Sequence, residues 1–291
     1  MNHERLATLL KCPECGTEIR YRPRVYSYSC SGQVLHTFRV RGEVADMVGD
    51  DSEGRQRRVD RIFTRIAGRR YERFATGAGY FDRLFSKVLW GTTKFVPLQF
   101  ELLSSVTADC EPGFFLDAPV GTAVFTAGEY SMQPNLEFIA VDHNRDMLSS
   151  ALEKIRAEDF GNVMLVRADI GKLPFVDGTF CGAMTMNGIG SFPDSRAALD
   201  EFARVIEPGG KFAGSIYIRG ERRITDFLIS WLFGPLGMFS APFFTAGEFE
   251  YELEKRGMQN IIMRKVGPIM FFSCRKRKAA GDSRVTESVE T

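Results

Sequence analysis

The chain has 291 residues, of which 44% are hydrophobic and 26% are charged, and its formal net charge is +1. These values are ordinary for a soluble globular protein and allow one large domain with a small appendage. Charged residues near the start argue against a signal peptide, and every apolar run falls short of the about 18 residues that a membrane span needs. We therefore expect a cytoplasmic protein without a membrane span, whose six cysteines are thiols or metal ligands.

The first predicted unit is a small metal-binding module at residues 1–42. Cys12 and Cys15 form a C-x2-C knuckle, in which two thiolates grip one ion. Cys30 and His36 complete a Cys3His set, which is a usual donor set for structural zinc. A module of about 40 residues has too small a core to fold without such a staple. The pattern predicts structural Zn²⁺ at these four residues; alternatively, Cys30 is a buried thiol and His36 a surface residue.

The second unit is predicted to follow a linker. Residues 43–58 are polar and poor in apolar side chains, which indicates a linker or an exposed loop. Apolar residues then recur at helical spacing over 59–108, and helices at this place can roof a ligand site. We expect the main domain to cover 59–278 and the polar residues 279–291 to be disordered.

Strands alternate with helices through the main domain. We predict strands at 114–117, 136–142, 163–166, 179–186 and 211–218, and helices at 145–157 and 197–206. This alternation indicates an α/β fold in which a largely parallel sheet is covered by helices on both faces. Ligands of such folds bind at the carboxyl ends of the strands.

Acidic residues end the first two of these strands. Asp117 precedes a tight turn that contains Gly121 and Thr122, and a turn of this kind before a helix is where α/β proteins hold nucleotide-like ligands. Asp142 ends the next strand, where a carboxylate can accept hydrogen bonds from both ribose hydroxyls of a nucleoside. The alternative is a helix N-cap, in which Asp142 or Asn144 satisfies backbone N–H groups of the helix that follows.

A third acid, Asp169, follows the next strand in the same way. Its carboxylate can accept an adenine amino hydrogen while Ile170 packs on the ring, although a turn-forming aspartate is an alternative. The three acids together predict a nucleoside-binding edge.

Further motifs make residues 113–217 similar to a known family. In chain order they are Leu-Asp117-x-Pro-x-Gly121-Thr122, Ala-Val-Asp142 followed by Met147-Leu148, Ala168-Asp169, Leu173-Pro-Phe175-x-Asp-Gly-Thr-Phe180 and Arg204-Val-x-x-Pro208-Gly209-Gly210. This set resembles the class I S-adenosylmethionine-dependent methyltransferases, specifically the branch with the ubiquinone/menaquinone C-methyltransferases (type 11 domain). The resemblance extends less strongly to the preceding helices and to residues 245–275.

The resemblance implies a Rossmann-like sheet of seven strands, S-adenosylmethionine as the cofactor, and a role for each matching residue. It assigns the methionine end of the cofactor to Asp117 and Gly121 with Thr122 at the helix start, the ribose to Asp142 with His143 beside it, the adenine to Asp169 and Ile170, and the meeting point of sulfonium and acceptor to Asn187. The sequence departs from the pattern at Pro119 and Ala123, where many members have glycine, and this puts tight cofactor binding in question.

Methyl transfer from a sulfonium is an in-line displacement, so catalysis can come mostly from alignment and exclusion of water. The sequence accordingly contains no convincing nucleophile and base pair, and it names no general base. Tyr217 and Glu221 follow the fifth strand and, with Asn187, are the candidates for positioning the acceptor.

Two kinds of acceptor compete in this sequence. An apolar lid predicted at 221–247, rich in phenylalanine, favours a small hydrophobic acceptor such as a quinone, polyketide or lipid. The alternative for this segment is a core helix or a dimer face. A zinc knuckle ahead of a methyltransferase domain also resembles the bacterial ribosomal-RNA guanine N-methyltransferases. Residues 1–100 carry 18 Lys or Arg against 11 Asp or Glu, which suits RNA phosphates. A third possibility is a non-catalytic binding module with this fold; the oligomeric state stays open.

Overall fold

A computed structural model describes residues 2–48, 72, 87–91, 95–192, 194–235, 239 and 243–278 of the chain. The amino-terminal part begins with helix α1 (His3–Ala7). Four short strands follow it: β1 (Ile19–Arg22), β2 (Ser27–Cys30), β3 (Thr37–Arg41) and β4 (Val44–Asp46).

The main domain contributes seven more strands and six described helices. The strands are β5 (Gly113–Asp117), β6 (Leu136–Asp142), β7 (Val163–Arg167), β8 (Phe180–Met186), β9 (Ile206–Tyr217), β10 (Met258–Val266) and β11 (Ile269–Lys276). The helices are α2 (Phe95–Thr107), α3 (Ala127–Met132), α4 (Arg145–Ala157), α5 (Ser195–Val205), α6 (Arg223–Leu228) and α7 (Ala246–Lys255). Among the described residues, no helix is both long enough and apolar enough to cross a bilayer.

All these strands form one sheet, in the order β1-β2-β3-β4-β7-β6-β5-β8-β9-β11-β10. The α/β prediction is confirmed, but the expected seven strands are wrong in number, because the sheet formed by the described residues has 11 strands. Seven come from the main domain, and the amino-terminal part adds four. The physical reason is the edge of β7, whose unpaired N–H and C=O groups are covered when β4 pairs with it in parallel.

The amino-terminal part therefore enters the main sheet earlier than the predicted linker allows. Val44–Asp46, inside the range 43–58, is a strand, and the next residue, Met47, donates its N–H to the carbonyl of Arg167 at 2.8 Å. Residues 49–58, most of the predicted roof before residue 95 and the tail 279–291 lie outside the described residues. The division into 1–42, 43–58 and 59–278 otherwise stays a prediction.

The core lies on both faces of the sheet, because the central strands β5, β6 and β8 are buried almost throughout. A short polar residue decides where helix α5 begins. Asp194 accepts hydrogen bonds from two backbone N–H groups and starts α5 at Ser195, two residues before the predicted start. Strand β9 starts at Ile206 rather than at residue 211, because the Pro-Gly-Gly segment still lies in the strand.

Candidate functional site

The site is built where β5 and β6 end side by side. The strands are parallel, and Asp117 pairs with Ala140 in register, so the turn after β5 lies next to the end of β6. Gly121 donates its N–H to Asp142 Oδ2 at 2.9 Å. Val120 donates its N–H to the carbonyl of Val141 at 2.8 Å. These two bonds hold the turn against Asp142 and make one edge from residues 21 positions apart.

Asp117 is a buried carboxylate with unused hydrogen-bonding capacity. Its side chain is 1% exposed, and the Tyr130 hydroxyl donates to Oδ2 at 2.5 Å. Within the part of the chain that the structure describes, Asp117 Oδ1 and the buried hydroxyl of Thr122 have no hydrogen-bond partner. Burial raises the pKa of Asp117 to about 6, and the nearby Asp142 adds to the rise. A cationic ligand group here would favour the charged form and supply the missing partner.

The two departures from the glycine pattern have separate structural settings. Ala123 adopts the left-handed conformation with φ 57° and is fully buried, so a non-glycine residue stands where glycine is least strained. Pro119 packs on Gly188 in the loop after β8. A Cβ atom at Gly188 would stand 2.1 Å from Pro119 Cδ, so only glycine fits there. The close approach of Pro119 therefore requires glycine at position 188.

Asp142 bonds to backbone groups on both sides of it. Oδ2 accepts from the Gly121 N–H, and Oδ1 accepts from the Asn144 N–H at 2.9 Å. The cap of helix α4 is Asn144, whose side chain accepts from the N–H groups of Asp146 and Met147. The helix-cap alternative therefore holds for Asn144 and not for Asp142.

His143 and Asp169 line the same edge of the sheet. His143 is 4% exposed and follows Asp142 directly. Asp169 is half-buried, and its Oδ1 accepts from the Gly171 N–H at 2.9 Å, which caps a short 3-10 turn at Ile170–Lys172. Ile170 is buried beside it. Asp169 therefore does stabilise a turn, as the alternative interpretation of a turn-forming aspartate predicted, and it uses one carboxylate oxygen to do so.

Asn187 is held by a polar network that the sequence did not reveal. It has φ 55°, and its N–H donates to the Ser215 carbonyl at 3.0 Å. The Ser215 hydroxyl donates to Asn187 Oδ1 at 3.1 Å, and Gln99 of helix α2 donates to that hydroxyl at 3.2 Å. Gln99 and Ser215 are buried, and Gln99 Oε1 is without a partner among the described residues. Neither Gln99 nor Ser215 belongs to a motif, so no signal in the sequence marks this network.

The structure separates the two remaining positioning candidates. Tyr217 is buried and donates to Asp226 Oδ1 at 2.6 Å, and burial followed by this bond raises its pKa. Its ring lies against Trp90, Phe239 and Phe243, with centroid distances of 6.4, 6.2 and 5.3 Å. By contrast, Glu221 is exposed and forms an ion pair with Lys265 Nζ at 2.9 Å.

The predicted lid at 221–247 is described only in part. Arg223–Leu228 is helical and continues as a π-helix at Ile229–Phe233, which buries Ile229 and Phe233. Phe227 and Trp231 stack with centroids 6.2 Å apart, and both are mostly exposed. Residues 236–238 and 240–242 lie outside the described part, so the role of this segment as a lid stays a prediction.

The four predicted zinc donors lie together. The ligand atoms of Cys12, Cys15, Cys30 and His36 are all within 4.8 Å of one another. His36 Nδ1 is 3.6 Å from Cys12 Sγ and 3.5 Å from Cys30 Sγ. A tetrahedral ion with Zn–S of about 2.3 Å and Zn–N of about 2.05 Å separates sulfur from nitrogen by about 3.6 Å. Donor chemistry and spacing therefore both fit zinc.

Comparison with known proteins bears on the main domain. Residues 99–222 match the model of the ubiE/COQ5 methyltransferase family. A demethylmenaquinone methyltransferase of Anoxybacillus flavithermus is 37% identical over 97 residues, which are 33% of this chain and 41% of that protein. An uncharacterized chloroplastic methyltransferase of Arabidopsis thaliana is 28% identical over 134 residues, covering 45% of this chain and 38% of its own length.

The fold of the chain is also similar to that of a solved structure. Phosphoethanolamine N-methyltransferase 2 of Haemonchus contortus, solved with S-adenosylmethionine, superposes with a TM-score of 0.54 at 15% identity, covering 67% of this chain and 60% of that one. The chain spans about two fifths of the length of the two curated relatives. The family match supports the methyltransferase resemblance that the motifs of residues 113–217 indicate, and the domain bounds 59–278 stay a prediction.

Proposed function

We propose that this chain transfers a methyl group from S-adenosylmethionine to a small hydrophobic acceptor. The observation that carries the proposal is the edge formed by Asp117, the turn at Gly121 and Asp142. Two carboxylates meet a tight backbone turn at the carboxyl ends of neighbouring parallel strands, which is where α/β proteins bind nucleosides. The family match over 99–222 supports the same assignment.

Each residue of this edge has a role that suits its surroundings. Asp117 would accept from the ammonium of the methionine end, because Oδ1 and the Thr122 hydroxyl are buried acceptors with unused capacity. Asp142 would accept from the ribose hydroxyls beside His143, while Asp169 and Ile170 would contact the adenine. The cofactor supplies a methyl group already activated by a sulfonium.

The chain's own contribution to the reaction would be alignment. Asn187 is fixed by Ser215 and Gln99, so it can orient an acceptor without losing side-chain freedom when the acceptor binds. The aromatic rings around Tyr217 would exclude water from the transfer. An acceptor with a flat apolar body suits such a wall, and the similarity to demethylmenaquinone methyltransferase supports a quinone-like ring.

We also infer that Cys12, Cys15, Cys30 and His36 bind structural Zn²⁺. All four donors come from the protein, which leaves no position for substrate. The ion would hold β1, β2 and β3 in place and thereby support β4, which joins the main sheet.

The proposal is tested by calorimetric titration of the metal-loaded chain with S-adenosylhomocysteine, which presents the same ammonium, ribose and adenine. We expect binding by the wild type, and weaker binding by Asp117→Asn and Asp142→Asn. The matched control is Asp159→Asn, the same chemical change at an exposed turn residue. No detectable binding by the folded wild type would falsify the enzymatic assignment and favour a non-catalytic module.

The acceptor is tested separately with radiolabelled cofactor. We expect methyl transfer to a demethylated quinone and none to bulk RNA. Binding to RNA that strengthens as salt is lowered, with label found in the RNA, would replace the small acceptor by a nucleic acid.

A further inference from the structure

Asp46, the last residue of β4, forms ion pairs with arginines from three parts of the chain. Asp46 is 8% exposed, and its Oδ2 accepts from Arg41 Nε at 2.9 Å within its own hairpin. Oδ2 also binds Arg145, at the start of α4, at 3.1 Å. Oδ1 binds Arg167, at the end of β7, at 3.0 Å. A carboxylate of the amino-terminal part thus reaches across the sheet edge into the main domain.

The contact with Arg167 continues to the candidate cofactor edge. Arg167 is 6% exposed, and its Nε donates to the carbonyl oxygen of His143 at 2.8 Å. Its guanidinium therefore joins Asp46 on one side to the residue after Asp142 on the other. The backbone follows the same path, because Asp142 and Arg167 pair in register and the Ala168 N–H donates to the Asp142 carbonyl.

We propose that the amino-terminal module is a working part of the cofactor site, with Asp46 as a positioning residue. Asp46 orients Arg167, and Arg167 fixes the turn at His143 and so the direction of the Asp142 carboxylate. This inference rests on the proposed role of Asp142 in binding the ribose. The amino-terminal module would then contribute to ligand binding as well as to its own folding.

Geometry and charge both support this coupling. A guanidinium is a rigid fork, so an Arg167 held by Asp46 at Nη1 presents Nε to the carbonyl in one direction only. Arg145 opens the helix that follows the same turn and binds the same carboxylate, so Asp46 is linked to both ends of the turn through arginines. Removing the carboxylate would take one charged partner from a buried guanidinium, and Arg167 would lose the contact that directs its Nε toward the His143 carbonyl.

The chain offers a matched control for this contact. Glu43 also joins the amino-terminal part to the main domain, through an ion pair with Arg156 at 2.8 Å. This ion pair is largely exposed and lies at the C-terminal end of α4, far along the helix from the turn. Its neutralisation should cost little, because exposed pairs contribute little. Glu43→Gln and Asp46→Asn thus make the same change in charge at two contacts that differ in burial and in their link to the turn.

The test measures the Kd for S-adenosylhomocysteine on the zinc-loaded full chain, well below the melting temperature of every variant. We expect Asp46→Asn to weaken binding about tenfold, corresponding to about 1.4 kcal/mol of lost positioning, and Glu43→Gln to bind as the wild type. Amide exchange of the peptide around residues 142–147 should become faster in Asp46→Asn alone.

A second variant keeps the test decisive if Asp46→Asn folds poorly. Arg167→Lys retains a cation beside Asp46 but cannot form both directed bonds, so it should also weaken binding about tenfold. The double variant should bind no more weakly than Arg167→Lys alone, because both residues act through one contact.

The possible failures are distinguishable. If the wild type does not bind S-adenosylhomocysteine, the proposed function fails. If the wild type binds and both single variants bind equally well while only their melting temperatures fall, Asp46 serves stability alone and the inference is overturned. Additive losses in the double variant would also overturn it, because Asp46 and Arg167 would then act independently.

Discussion

Replacing Asp117 by asparagine should stabilise the unliganded protein and at the same time weaken cofactor binding. The pKa of this carboxyl is raised from 3.8 to about 6 in the folded chain, mainly because it is buried. Between these two pH values the folded state holds a proton that the unfolded state has lost, so stability falls as the pH rises through this window. Asparagine has nearly the same shape and no charge to desolvate.

The size of the effect follows from the same pKa. A rise of about two pH units corresponds to about 3 kcal/mol, because each unit is worth about 1.4 kcal/mol. At pH 7.5 the free energy of unfolding of Asp117→Asn should therefore exceed that of the wild type by up to about 3 kcal/mol. Near pH 4 the carboxyl is protonated in the folded chain, and the difference should nearly vanish.

Urea unfolding of both proteins from pH 4 to pH 7.5 provides the measurement. The wild-type curve is subtracted at each pH, so the titration of all other groups cancels. Asp159→Asn, at an exposed turn, should show no such pH dependence. A variant that is less stable than the wild type at pH 7.5, or a difference that does not change with pH, would refute the reasoning. Saturating S-adenosylhomocysteine should reverse the order, because only the wild type presents a carboxylate to the ammonium.

Three other changes test separate parts of the structure. Ala123→Gly should raise the free energy of unfolding by about 1 kcal/mol, since it relieves the left-handed φ of 57°, and a fall in melting temperature would contradict this. Gly188→Ala should lower stability by about 1–3 kcal/mol through its overlap with Pro119, whereas Gly128→Ala, with open space around the added methyl group, should be tolerated; equal stabilities would show that the proline can move. Treatment with a chelator, followed by metal analysis, should lower the melting temperature of the wild type but not that of Cys15→Ser. An unchanged melting temperature of the wild type would contradict the proposed structural zinc.

Most elements of the main domain follow from local patterns in the sequence. Continuous apolar runs predicted β5, β6, β7 and β8 to within about two residues, and helix α4 was predicted with its observed bounds. Errors occurred where a neighbour decided the boundary. Asp194 moved the start of α5, and the pairing of Ile206 with Phe180 of β8 extended β9 back through the Pro-Gly-Gly segment.

Local patterns in the sequence also predicted part of the candidate site. Asp117, Gly121 and Asp142 stand at strand ends, which the pattern locates, and the structure brings them together. Gln99 and Ser215 were missed because nothing near either residue in the chain marks it. They are 116 residues apart in sequence, and only the packing of α2 on β9 brings their side chains within hydrogen-bonding distance.

The sequence by itself determined the α/β class, the acids at the strand ends and the cluster of three cysteines and His36, because each follows from residue types and their spacing along the chain. Only the tertiary structure decided that β4 completes the edge of β7 and that Asp46 reaches Arg167. Those partners are 121 residues apart, and their contact depends on how the edge of a finished sheet is covered. Backbone hydrogen bonding at an edge places no demand on side-chain type, and therefore leaves no pattern in the sequence.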